Sequence, residues 1–269
     1  MTTYPLDRYG LIRREATLAH DISDDHIAAA VRKGDLRRLT PGVTVLNSDD
    51  FTGPEGEDAL YRLFSIAVAT SELFTNQLPL AFESAAAMHG LPLLKPDRTR
   101  VHVINGRTSG GSIRSQRHIH AGVVPPDEMT KIDGVRSTIL ERTAVDIAVR
   151  GTFAQGVVVF DGALGKRADR RRMSTMLDGS RREGIRSARR ALEHTDAHSR
   201  SVGESWSRAQ MIEGGFPTPL LQKNYRVGNK KYDVDFDWNG LLVGEFDGKK
   251  KYGRALLRPW LIRLGLMPA

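Results

Sequence analysis

Between Gly10 and Leu46 the apolar positions change period, from three-to-four to two. That change predicts two short helices followed by a tight hairpin. In the second helix Ile27 and Val31, four apart, form a buried edge, with Leu18 of the preceding helix as their expected partner. Ser23 is suited to cap this helix, and Asp24 and Asp25 complement the dipole of its first turn. Ile22 and Ile27 occupy the two ends of a hydrophobic staple. Gly34 stops the helix. Leu36, Leu39, Val43 and Val45 take the buried positions of the hairpin, whose Pro41-Gly42 pair suits a type II turn.

Residues 47–57, NSDDFTGPEGE, are acidic and rich in turn formers, which predicts a linker. A helical period returns from Glu57 to Thr70, with Leu60, Phe64, Ala67 and Val68 on one stripe. Phe82 to His89, FESAAAMH, reads as a helix of small residues ended by Gly90-Leu-Pro. Arg100 to Asn105 and Arg117 to Ala121 are strands separated by a basic turn. His118 and His120 share one face of the second strand. Without a third ligand at useful spacing they are expected as two surface imidazoles rather than a metal pair. Residues 133–150 give a short strand and then a helix from Glu141, on which Arg142 and Asp146 form an intrahelical pair. A helix carrying Val157 to Leu164 follows. Residues 166–190 then predict two amphipathic helices with solvated arginine faces.

In the last third, Ser201-Val-Gly-Glu204 fits a capping box that opens a helix through Glu213. Strands follow over Pro219–Val227, Lys231–Trp238 and Leu241–Asp247, with Asn239-Gly240 as the second turn. Asp233, Asp235 and Asp237 lie on one face of the middle strand, and Val234, Phe236 and Trp238 on the other. A two-residue Asn-Gly loop would set Asp235 away from Glu245. A three-residue loop, Trp238 to Gly240, pairs Asp237 with Leu241 and gathers the acids on one side, with Phe236 and Trp238 on the apolar side. The second arrangement is expected, because one face cannot sensibly mix Glu245 with Phe236 and Trp238. Converging carboxylates followed by Lys249 have the chemistry of a Mg²⁺ site, in which oxygen ligands hold an ion that binds a scissile phosphate. The same spacing fits an exposed acidic face partnered by Lys230, Lys231 and Lys249 to Lys251.

The chain has 269 residues, a formal charge of +8 and no cysteine. Two or three domains fit that length, a polyanionic partner suits the charge, and thiolate metal sites and disulfides are excluded. MTTYPLDRYG lacks the apolar core of a signal peptide. The greasiest stretch, Leu60 to Thr75, is broken by Arg62 and Glu72, so the expectation is a cytoplasmic protein with no membrane partner.

Arg32, Lys33, Arg37 and Arg38 are left pointing outward from the N-terminal helix and hairpin. A helix that fits a major groove, followed by a cationic wing, is the layout of a winged helix-turn-helix bound to double-stranded DNA, with His26 and Ala29 nearest the base edges. Asp24 and Asp25 stand against this, because they place negative charge at the end of the helix that approaches phosphate.

Gly10 to Leu46 resembles the N-terminal winged helix of AbiEi-type antitoxins, which repress their own operons. FESAAAMHGLP and STILERTAVDIA resemble the middle region of the same actinobacterial proteins. GESWSRAQM, VDFDW and VGEFDGKKKYG resemble a C-terminal domain related to very-short-patch-repair endonucleases of the PD-(D/E)xK superfamily. The resemblance implies Asp235 and Glu245 as Mg²⁺ ligands, with Asp247 beside them, and Glu204 as the acidic residue of the leading helix. Asp247 stands where that superfamily carries its lysine, which leaves Lys249 as the substitute. Only Gly253 to Ala269 follow the hairpin, so the nuclease core is expected to be truncated. The expected fold class is α+β and multidomain, with a winged helix-turn-helix over residues 1–48, a middle α/β region over 55–198 and a restriction-endonuclease-like domain over 199–269. The expected function is a DNA-binding regulator and antitoxin of a type IV toxin–antitoxin system, needing no cofactor for DNA binding and having a cognate toxin as a second partner. The alternatives are a Mg²⁺-dependent endonuclease and an antitoxin that binds only protein.

Overall fold

The computed structural model describes residues 3–71, 78–114, 116–227 and 229–246. It divides into two compact units, residues 1–90 with 97–139, and residues 91–96 with 140–269. The boundaries expected near residues 48 and 198 do not coincide with this division.

In the first unit, β1 (Leu11–Arg13), α1 (Arg14–Ala19), α2 (Asp24–Lys33), β2 (Leu36–Thr40) and β3 (Val43–Leu46) follow one another, and the strands form a sheet of order β1-β3-β2. The punctuation of α2 follows from its sequence. Ser23 Oγ accepts the His26 N–H at 3.2 Å, and Gly34 ends the helix at φ 87. Gly42 has φ 77, as a Pro-Gly type II turn requires. Ile27 and Val31 pack with Ala30 on Ile12, Leu36 and Tyr4. Leu18, their expected partner, is 44% exposed. The apolar place is filled instead by Ile12 from β1, a strand too short to show a period.

The expected linker is the start of a helix. Asp49–Phe51 forms a 3₁₀ turn, and α3 (Gly53–Ala69) begins at once with proline in its first turn. A Cβ on Gly56 would lie 2.4 Å from the Asp50 carbonyl oxygen, so only glycine lets the helix lie against that turn. Next come α4 (Phe82–His89), β4 (Val101–Ile104), β5 (Ser112–Ile113), β6 (Arg117–His120), β7 (Met129–Ile132) and β8 (Val135–Thr138). β4 runs parallel to β6, β5 antiparallel to β6, and β7 antiparallel to β8. Leu80 bridges to Val103 on one side and Ser137 on the other, which stitches these strands together. One core contains Leu11 and Val43 from the N-terminal sheet, Ile66 and Val68 from α3, and Leu80, Val101, Val103 and Val135.

The second unit is built on α5 (Leu140–Arg150), α6 (Phe153–Gly165), α7 (Arg170–Asp178), α8 (Ile185–Glu193) and α9 (Val202–Glu213), followed by β9 (Leu220–Val227), β10 (Lys230–Trp238) and β11 (Leu242–Gly244). α6 is opened by a capping box of Thr152 and Gln155 and is apolar nearly all round, the pattern of a central helix. Gly156 lets it approach α8, since a Cβ there would lie 2.8 Å from the Ala191 methyl. Asp161, midway along α6, accepts from Arg208 of α9 at 2.5 Å and from the Asp196 N–H at 2.8 Å. Both charged side chains are 2% exposed. Burial pushes the Asp161 carboxyl up from its ordinary range, and the neighbouring guanidinium opposes that shift.

The Arg142–Asp146 pair is present at 2.6 Å, but it is not an ordinary surface pair. Asp146 is 1% exposed and takes a second arginine, Arg182, at 2.8 Å. α7 and α8 bury Met173, Leu177, Ala188 and Leu192 on their inner faces. Two of their arginines close helix ends: Arg170 donates to the Leu192 carbonyl at 2.6 Å and Arg189 to the Leu177 carbonyl at 2.9 Å. Among the described residues no helix is long and apolar enough to cross a membrane.

The Asp161–Arg208 pair gives a direct test of the second unit. Arg208→Met alone leaves a buried carboxylate uncompensated and is expected to lower stability by about 3–5 kcal/mol. The double variant Asp161→Leu/Arg208→Met should recover most of that loss in urea denaturation at neutral pH. Equal losses in the single and double variants would show that the two charges are not coupled.

Candidate functional site

The N-terminal sheet leaves one cationic edge. α2 turns Ile27, Ala30 and Val31 inward, so Arg32 and Lys33 stay exposed in its last turn, where the helix dipole favours cations. β2 is an edge strand, and Arg37 and Arg38 on it are both exposed. His26 and Ala29 are exposed on α2, and the His26 Nε2 lies 3.4 Å from the Tyr4 hydroxyl. Lys33 also pairs with Asp35 at 3.2 Å.

The acids at the start of α2 are partly answered. Arg14 donates from Nε to both Asp24 oxygens, at 2.9 and 3.1 Å, and from its terminal nitrogen at 2.6 Å. That hydrogen-bonded pairing holds the Asp24 carboxyl below the usual carboxylate range. At this end α2 therefore presents an ion pair with Asp25 beside it, rather than two bare carboxylates.

The C-terminal strands form a sheet of order β11-β10-β9. The hairpin has the expected faces with a different register: Trp238 pairs with Leu242, and Asp237 with Val243 rather than with Leu241. Asn239 and Gly240 both have positive φ, 53 and 73, and Leu241 is added to the loop. The shift is two residues in the pairing sum, so side-chain parity is kept. Phe236 and Trp238 pack with Met211, Phe216, Leu221 and Phe246.

On the other face Asp235 meets Glu204. Gln222, held at φ 52 within β9, donates from one amide nitrogen to Glu204 at 3.0 Å and to Asp235 at 3.1 Å. The second Asp235 oxygen accepts the Phe246 N–H at 2.7 Å. Glu204 also accepts from the Arg200 N–H at 3.0 Å and the Ser201 hydroxyl at 2.9 Å. All four oxygens of these two carboxylates thus accept hydrogen bonds from the chain itself, which accounts for their convergence without a cation. Asp237 is buried and locks the turn, accepting from Tyr225 and from the Gly240 N–H, each at 2.8 Å. Glu245 is exposed, and Asp247 and Lys249 lie outside the described residues.

A third grouping was not legible as such. His118 and His120 are half-buried rather than surface imidazoles, and the third ring is His102, 1% exposed on β4. Parallel pairing of β4 with β6 sets His102 opposite His118. The signal was the matching alternation of VHVI and RHIH, which becomes informative only once the two strands are known to be neighbours.

No curated protein sequence matches the chain. Among solved structures, the RV2827C protein from Mycobacterium tuberculosis is 14% identical, with 84% of this chain and 90% of that chain covered and a TM-score of 0.42. The very-short-patch-repair likeness of the C-terminal strands finds no support in these comparisons. Residues 79–194 match the family model of the AbiEi antitoxin C-terminal domain, a stretch that takes in α4 to α8, and the match supports an antitoxin role in a toxin–antitoxin system.

Proposed function

We propose that this chain is an antitoxin that also binds duplex DNA, as a winged helix-turn-helix regulator of its own operon, with a cognate toxin as its protein partner. The observation that carries the DNA-binding part is the cationic edge. Arg32, Lys33, Arg37 and Arg38 are exposed on adjacent elements, while the apolar side of the same helix and hairpin is buried. Four such groups beside the exposed side of a helix suit phosphate contacts that fix register, with His26 and Ala29 the nearest candidates for base edges. The Arg14–Asp24 pair removes part of the electrostatic objection at the start of α2. The match over residues 79–194 supports the antitoxin part and the expectation of a toxin partner.

The test is binding of the full chain to its own promoter fragment in EDTA, followed by anisotropy over a series of salt concentrations. Substituting Arg37→Ala and Arg38→Ala together removes two phosphate contacts. The slope of log K against log salt should become shallower by about 2, with weakened binding to every duplex tested. An unchanged slope would show that β2 is not the wing.

The same preparation should show no Asp235-dependent nicking of plasmid DNA in Mg²⁺, because the Asp235 and Glu204 oxygens are engaged by Gln222, Phe246, Arg200 and Ser201. Cleavage that is lost in Asp235→Ala would instead make the C-terminal strands a Mg²⁺-dependent nuclease.

A further inference from the structure

We infer that His102, His118 and His120 form a binding site for a divalent transition-metal ion of the Zn²⁺ class. The site follows from strand geometry. β4 and β6 are parallel neighbours, with His102 opposite His118 and Ile104 opposite His120. Val101, Val103 and Ile119 of these strands point into the core of the first unit, so the alternate positions, all three histidines, share the opposite face.

The distances suit one ion. The rings of His118 and His120 stack at 3.9 Å between centroids, and that of His102 lies 5.3 and 5.2 Å from them. One nitrogen from each ring lies within 4.8 Å of the others. His102 Nδ1 and His120 Nε2 are 2.9 Å apart. Two imidazole ligands of a tetrahedral zinc, each bonded at about 2.0–2.1 Å, stand roughly 3.3 Å from one another. The His102–His120 nitrogen pair is thus already near that spacing, and binding of one ion requires only that the half-buried His118 ring close on the other two.

The surroundings fit the chemistry. The chain has no cysteine, so the donor set is three neutral imidazoles, the set that suits zinc and its neighbours rather than Mg²⁺ or Ca²⁺. A Glu83 oxygen on α4 lies 3.5 Å from His102 Nδ1 and supplies negative charge against the cation. The Phe82 ring lies 4.1 Å from that of His120 and covers one side of the group with apolar surface. Phe82 is held at φ 50, a costly conformation for an aromatic residue, and the chain keeps it where the ring meets this face. His102 is anchored through its backbone, whose N–H donates to Ser84 Oγ at 2.8 Å. Two ligands on β6 and one on β4 would let the ion cross-link the two strands.

The full chain, stripped with chelator and dialysed, is titrated with Zn²⁺ by calorimetry and with Co²⁺ by visible absorption. One saturable equivalent is expected, with Co²⁺ bands of a four-coordinate nitrogen-rich site and a rise in Tm on adding Zn²⁺. His118→Ala and His120→Ala, checked for folding by circular dichroism, should each weaken binding at least tenfold. His198→Ala, on the exposed surface beside Asp196, should leave it unchanged. The inference is overturned if the parent chain takes up no saturable equivalent. It is equally overturned if neither β6 variant weakens binding, or if His198→Ala abolishes it.

Discussion

The first unit depends on a three-residue segment that makes backbone hydrogen bonds on both of its sides. Leu80 donates its N–H to the Arg136 carbonyl at 2.9 Å and accepts from the Thr138 N–H at 3.0 Å. Its neighbours face the other way: the Ala81 N–H reaches the His102 carbonyl, and the Ile104 N–H reaches the Pro79 carbonyl, both at 3.0 Å. Backbone polar groups taken out of water must be paired, and here one short stretch pairs with β4 and with β8 together. The Leu80 side chain is fully buried among residues from the N-terminal sheet, α3 and β4. The register of β4 against that segment decides which face its side chains take, so Val101 and Val103 enter the core and His102 is turned to the other side.

The second unit answers a different problem, that of charge inside an apolar helix bundle. α6 has aspartate in the middle of an otherwise apolar run, and α5 has a buried aspartate one turn after an arginine. Each carboxylate is matched: Asp161 by Arg208, and Asp146 by Arg142 and Arg182. Such pairs add little net stability over apolar residues of similar volume, but removing one partner is expensive, so they restrict which helix faces can meet. Several arginines of this chain are therefore engaged internally or on helix carbonyls. A high arginine content does not by itself mark a nucleic-acid surface. The cations of α2 and β2 lie exposed on two adjacent elements whose apolar side is buried.

The sequence was most readable where structure is decided locally. Ser23, Gly34 and Gly90 each mark an element end through bonds or φ values that involve only near neighbours. It was least readable where an element exists only through distant pairing. β1 and β5 have three and two residues, too few to show a period, and each is a strand because β3 or β6 lies beside it. The stretch at residues 47–57 misled because serine, glycine, proline and acids serve both loops and helix starts. Arg142 and Asp146 were visible as a pair, but burial and the arrival of Arg182 from a distant loop were not. His102 was invisible as a partner for the same reason: only the parallel pairing of β4 with β6 brings it to His118.

Two groups of converging chemistry-bearing side chains come out differently in this chain, and the donors decide which way. The carboxylates Glu204 and Asp235 are acceptors only, and converging acceptors are tolerable if donors are supplied. The chain supplies them, from the Gln222 amide, two backbone N–H groups and a hydroxyl, so the acids form a joint between α9 and the C-terminal strands. Imidazoles are another matter. A neutral ring carries one N–H and one lone pair, so a close nitrogen–nitrogen contact such as that of His102 with His120 uses a donor on one side and an acceptor on the other. Adding a proton turns the acceptor into a second donor and makes the contact repulsive, whereas a metal ion takes lone pairs from all three rings at once. Three rings within 4.8 Å of one another thus offer one divalent cation a donor set that the two carboxylates, each already accepting from the chain, do not.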